Sequence, residues 1–171
     1  MKLLPALVAT AVAVALAGGA YLTLGPSPNA ATTAAPVVGY TLLDGTTANT
    51  EQFRGKEVLV NFWATTFTIC VAEMPQLVTT HNKYKAAGFD TLAVAMQYDP
   101  PALVVRFAES RKLPFGVAID NTGAIAHSFG DVRGTPTSLL IDKHGQIVKR
   151  YVGAPDFSEL RRRIEKLLAE A

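Results

Sequence analysis

Thiols are nearly absent from this chain: its 171 residues include one cysteine, Cys70. No intrachain disulfide can form, and a lone thiol could pair only with another molecule. Histidine is scarce too. His81, His127 and His144 lie far apart, with no Cys or carboxylate at ligand spacing, so they read as surface side chains rather than metal ligands. No glycine-rich loop could cradle a phosphate. Ser138 and Ser158 lack the elbow motif or adjacent His that would mark a hydrolase. No cofactor and no metal are expected. Charge of one sign is lacking as well: 16 basic and 14 acidic residues leave a net +2, spread along the chain, so nothing calls for nucleic acid or an acidic partner. The only basic run is Arg161-Arg162-Arg163. On a helix these three fan around the axis, with Glu159 and Glu165 beside them, and they read as a solvated face.

After Met1-Lys2 no charged residue occurs until Asp44, and Leu3 to Leu24 is almost wholly apolar. Roughly 20 such residues span a bilayer as a helix, whereas a signal-peptide core needs only about 7–15. Ala15-Leu16-Ala17 resembles a signal-peptidase site, but apolar character continues through Tyr21, Leu22 and Leu24. Residues 1–25 are therefore expected to be an uncleaved anchor, with a cleaved signal as the alternative. Lys2 would remain cytoplasmic, placing the bulk of the chain on the extracytoplasmic (periplasmic) face of the inner membrane. Residues 26–35 are small and uncharged and read as a flexible linker. A folded domain is expected over 36–171. Apolar residues make up 49% of the chain, enough to give that domain a sizeable core.

Beyond the linker, strand and helix patterns alternate. Val37 to Leu43 reads as a strand ending at Asp44-Gly45. Asn49, with Gln52 three residues on, predicts a short capped turn. Val58 to Ala64 is a nearly unbroken apolar run suited to a strand buried on both faces. A helix is expected from Thr66 to Ala87, capped by Thr65 or Thr66, kinked at Pro75 and stopped by Gly88. Thr91 to Met96 predicts a strand, Pro100 to Lys112 a helix, and Gly116 to Ile119 a strand. A short helix falls within Asn121 to Phe129. Thr137 to Ile141 and Ile147 to Val152 form a hairpin, and Asp156 to Glu170 an amphipathic helix with Leu160, Ile164, Leu167 and Leu168 on one face. This alternation predicts an α/β fold, with a central mixed sheet and helices on both faces.

The chemistry-bearing stretch is Asn61-Phe62-Trp63-Ala64-Thr65-Thr66-Phe67-Thr68-Ile69-Cys70, followed by Glu73-Met74-Pro75. Gly134-Thr135-Pro136-Thr137 and Ile141-Asp142-Lys143-His144-Gly145 come later, and Arg54-Gly55-Lys56 precedes. In this order and spacing the domain resembles the thioredoxin superfamily, in particular its TlpA/ResA-like branch of membrane-tethered thiol–disulfide oxidoreductases. The resemblance runs from about Gln52 to Gly153.

That resemblance implies an active-site turn of the Cys-x-x-Cys type at a helix N-terminus, where free N–H groups and the helix dipole favour a thiolate. The first position is Phe67, the nucleophile's place; Cys70 stands at the second, resolving place. A phenyl ring can neither ionise nor attack a disulfide. The resemblance further implies a cis Thr135–Pro136 bond facing the turn, with Thr135, Pro136 and Trp63 contributing to substrate binding, although Trp63 alone reads as packing beneath the turn. Asn61 stands where cytosolic relatives place a buried acid, and Glu73 reads as either a group tuning a nearby thiol or a solvated helix position. Implied partners are extended segments of exported client proteins and, if redox activity persists, a membrane thiol-reducing partner.

Three functions remain open on the sequence: a domain that has lost dithiol exchange and retains client binding near Pro136; a working reductase of this family, one base change removed from its first Cys; and a monothiol protein using Cys70. Cys70 itself is expected to face inward and to act as a small core residue.

Overall fold

The structure, a computed structural model, describes residues 33–170. The expected anchor and most of the linker lie outside the described residues. In chain order come β1 (Thr33–Ala34), β2 (Gly39–Thr41), β3 (Thr47–Asn49), a 3-10 turn (Thr50–Phe53), β4 (Glu57–Trp63), α1 (Thr68–Tyr84), a 3-10 turn (Lys85–Ala87) and β5 (Phe89–Ala95). Then follow α2 (Pro101–Arg111), β6 (Gly116–Ile119), α3 (Ala124–Ser128), β7 (Thr137–Ile141), β8 (Gln146–Val152) and α4 (Phe157–Ala169).

Six strands form a mixed sheet in the order β1-β8-β7-β4-β5-β6, and β2 and β3 form a separate hairpin. β4 runs parallel to β5 and antiparallel to β7, and β5 runs parallel to β6. All seven residues of β4 are buried, as its continuous apolar run predicts. Alternation divides them. Leu59 and Trp63 pack with Cys70, Met74 and Leu77 of α1, Val104 of α2, and Leu160 and Ile164 of α4. Val58, Val60 and Phe62 pack on the other face with Ile125 and Ala126 of α3, Phe129 and Phe53. The α/β architecture with helices on both faces is thus present, and the larger helices share one face.

Differences from the expected elements have local causes. Thr33 and Ala34, expected in the linker, pair with Ile147 and Gln146 at the sheet edge. Val37 to Leu43 shortens to β2, because the chain turns at Asp44-Gly45 to pair with β3. Asn49 caps the 3-10 turn as expected, its Oδ1 accepting from Glu51 N at 2.9 Å. The cap of α1 moves to Phe67, which makes no side-chain cap bond, because the helix begins only at Thr68. The same helix gives way to 3-10 geometry after Tyr84, before Gly88 turns left-handed at φ 101°.

His81 corrects another expectation. It is buried, with Nδ1 3.3 Å from Thr91 Oγ1 and its ring edge-on to Phe115. It follows Cys70, Met74 and Leu77 along the inward stripe of α1, a position that apolar periodicity does not disclose. The three arginines diverge: Arg161 reaches α1, donating to Thr80 Oγ1 at 3.1 Å and Gln76 Oε1 at 2.5 Å, while Arg163 pairs with Glu159. Among the described residues no helix is long and apolar enough to cross a membrane.

α4 is held by its cap and its buried stripe. Asp156 accepts from the Ser158 and Glu159 amides, and Leu160 and Ile164 are fully buried. Leu160→Ala should lower the unfolding free energy by about 2–5 kcal/mol through lost burial and a residual cavity. A urea titration reads the change; a loss below about 1 kcal/mol would mean that α4 does not close this core.

Candidate functional site

Three chain segments meet where β4 and β5 end and β7 begins, with Phe62 opposite both Val94 and Thr137. Such an edge, at the carboxyl ends of parallel strands, is where open α/β sheets place their sites. From β4 the chain passes through Ala64 to Phe67 into α1. From β5 it passes through Tyr98 and Asp99 into α2. Gly134 to Pro136 leads into β7.

One buried carboxylate ties the first two segments together. Asp99 is 1% exposed and accepts from Thr65 N and Thr65 Oγ1, each at 2.6 Å. These bonds turn Thr65 toward Asp99, and it makes no cap bond to α1. The helix opens instead with the Cys70 and Val71 amides donating to Phe67 O at 3.0 and 3.2 Å. A second link crosses the surface. The Phe67 ring lies 6.0 Å from that of Tyr98, tilted by 55°, and Tyr98 OH is 3.1 Å from Thr135 Oγ1. Phe67 and Tyr98 remain 44% and 46% exposed, so this aromatic bridge forms the outer surface of the site.

Cys70 lies below it, a free thiol with no exposure. Burial raises its pKa above the ordinary thiol value, and the negative charges of Glu73 and Asp99 act in the same direction. Hydrogen bonds from the Ala64 backbone and the Thr135 side chain oppose the shift without reversing it. A buried thiol held in its protonated form is a poor nucleophile.

The Thr135–Pro136 peptide bond is cis. Pro136 is buried and its carbonyl accepts from Gly153 N at 2.8 Å. Thr135 is half-buried, and no hydrogen bond joins its backbone to another backbone group among the described residues. Trp63, expected to contribute to substrate binding, is fully buried, with its ring 5.2 Å from that of Phe107. It supports the turn from beneath and cannot touch a bound molecule unless the core opens.

Glu73 is the residue the sequence left open between two readings, and the solvated one does not hold. It is 4% exposed, one turn beyond Cys70 on the inward face of α1. Asn61 Nδ2 donates to Glu73 Oε1 at 3.0 Å and to Ser138 Oγ at 2.9 Å. Glu73 Oε2 and Asn61 Oδ1 are buried without partners. Burial outweighs the hydrogen bond from Asn61 and raises the Glu73 pKa from 4.5 to about 7. A sequence signal for this network did exist: Asn61 interrupts an otherwise apolar buried strand, and a buried amide requires polar partners. His127 and His144 are exposed, and among the described residues no group of three or more His, Cys, Asp or Glu side chains could hold a metal ion.

A helix opening after the central strand, a thiol at its first turn and a cis-proline loop facing that turn define the thioredoxin-fold class. Residues 30–164 match the Redoxin family model. The chain is 34% identical over 134 residues to the thiol-disulfide oxidoreductase ResA of Bacillus thuringiensis subsp. konkukian, covering 78% of this chain and 76% of that protein. Among solved structures, a Neisseria meningitidis protein described as a thioredoxin superposes with a TM-score of 0.75 at 38% identity, over 81% of this chain and 93% of the other. A thiol:disulfide interchange protein of the thioredoxin family from Chlorobium tepidum TLS superposes with a TM-score of 0.74 at 25% identity, over 82% and 99%. The chain belongs to the Redoxin family, in its TlpA/ResA-like part.

The Glu73 shift carries a sign. Between pH 4.5 and about 7 the native protein holds a proton that the unfolded chain releases. Stability therefore falls as pH rises through that window. Glu73→Gln retains the acceptor for Asn61 and cannot ionise. Denaturant titrations at about pH 5 and about pH 8 should show a drop larger for the unmodified protein than for Glu73→Gln, by up to about 3 kcal/mol. Glu57, also buried and also raised, contributes equally to both proteins and cancels. Equal drops would mean that Glu73 ionises normally in the fold.

Proposed function

We propose that this protein is a thiol–disulfide-oxidoreductase-type domain that does not carry out dithiol exchange and retains the surface on which such domains hold an extended client. Exchange requires a thiolate to attack a client disulfide and form a mixed disulfide, which a second thiolate then breaks to release the reduced client. The observation that carries the reading is that Phe67, three residues before Cys70 where the family resemblance puts the attacking thiol, lies half-exposed at the entrance, while the one thiol lies behind it with no exposure. Neither carbon nor hydrogen of a phenyl ring can perform the first step. Cys70 cannot replace it without leaving the core and losing a proton against the bias of its surroundings.

Client binding is supported by the half-buried Thr135, whose backbone makes no hydrogen bond to another backbone group among the described residues, and by the apolar floor that Phe67 adds. An extended segment laid beside Thr135 could pair with its amide and carbonyl, as strand addition does elsewhere. We read the client as an exported protein and the domain as extracytoplasmic, tethered by residues 1–25, because those residues are long and apolar enough for a span. The monothiol alternative has the burial of Cys70 against it. The relatives named for thiol–disulfide oxidoreduction favour a scaffold that would accept a restored Cys.

Insulin reduction with dithiothreitol as electron donor separates these readings. The unmodified protein should show no turnover above the uncatalysed rate, and Phe67→Cys should gain it. Turnover by the unmodified protein would overturn the proposal, and an inactive, folded Phe67→Cys would show that more than one thiol separates this domain from an enzyme. Native-state reaction with N-ethylmaleimide gives an independent reading. Cys70 should label only as fast as the protein opens, and at the ordinary thiol rate in denaturant. Rapid native labelling would revive the monothiol function.

A further inference from the structure

On the face of α1 turned toward α2, Val71, Pro75 and Val78 follow one another at helical spacing. They form one wall of a cleft of about 250 Å³ whose other wall carries Phe107, Arg111 and Leu113. The volume lies just below the range usual for small-molecule pockets, which limits an occupant to a short chain. Arg111 is its only charged lining residue. Among the described residues Arg111 takes part in no ion pair, and its guanidinium rests over the Phe107 ring, 5.7 Å from the centroid. The other lining side chains offer no polar group. The cleft therefore presents hydrocarbon walls and one uncompensated positive charge of fixed type, since a guanidinium stays protonated and pairs bidentately with carboxylates.

We propose that this cleft binds a small amphipathic monocarboxylate, with its hydrocarbon tail between Val78 and Leu113 and its carboxylate on the Arg111 guanidinium. Burial of the tail against the apolar walls supplies the attraction, and the single cation selects the head group. A cationic amphiphile of the same length meets like charge there, and a neutral one leaves the guanidinium without a partner. The site is separate from the cis-proline surface and does not rest on the client-binding reading.

A built-in reporter tests it. Trp63 is the only tryptophan in the chain, and its ring contacts Phe107 from beneath the cleft. Octanoate added to the full-length protein should produce a saturable change in Trp63 emission. Octanol and octylamine, with the same tail, should bind at least about tenfold more weakly, as should octanoate to Arg111→Gln, which loses a charge-assisted hydrogen-bonded pair. Val78→Phe, which fills the cleft, should abolish the change in a protein whose circular dichroism is unaltered. The proposal is overturned if millimolar octanoate produces no saturable change, or if octanol or octylamine binds as tightly. Unchanged affinity in Arg111→Gln would overturn it as well, even if Val78→Phe does not fold.

Discussion

The constraint on which this structure depends is the complete burial of β4. A strand with no solvent-facing residue must be paired on both edges and covered on both faces, because its backbone groups and seven side chains have no access to water. β5 and β7 satisfy the edges; α1, α2 and α4 cover one face, and α3 with the 3-10 turn covers the other. Everything at the site follows from where β4 stops. Its end aims the chain into α1, its register against β7 sets the Gly134–Pro136 loop opposite that helix, and its register against β5 brings Asp99 within reach of Thr65.

Burial on this scale also determines the chemistry available to polar groups that the strand carries inward. Asn61 lies on the Leu59–Trp63 face, and its amide draws Glu73 and Ser138 into a buried network with two orphan oxygens. Low polarity there keeps Glu73 neutral to about pH 7 and favours the protonated form of Cys70. The same environment that would tune a reactive pair therefore restrains a lone thiol. The aromatic bridge of Phe67 and Tyr98 adds to the effect, because its half-exposed rings form the outer surface and the thiol lies buried behind them.

The parts of the fold legible in the sequence were those governed by local rules. β6 and β7 fall on their expected residues, Gly88 ends the segment containing α1, and Asn49 caps its 3-10 turn, since strand propensity, left-handed glycine and N-capping act over a few residues. The site was legible in outline through its ordered motifs, while its interior was not. Glu73 and His81 have polar side chains on a helix, and helical spacing alone could not show that both face the core. Thr65 has the chemistry of a helix cap, yet it serves Asp99, a residue 34 positions away in the chain. Pairing of Thr33 and Ala34 with β8 depends on an edge formed more than a hundred residues later.

What the sequence determined by itself is the inventory: one thiol, a phenylalanine three residues before it, a buried-strand pattern leading into a helix, and a Gly-Thr-Pro-Thr segment. Those are covalent facts and local preferences, and they were sufficient for the family and for the absence of a second thiol. Only the tertiary structure decided which polar groups lose their water. Solvation is set by what packs over a residue, and the packing partners of Cys70, Glu73, His81 and Trp63 come from elements distant in the chain.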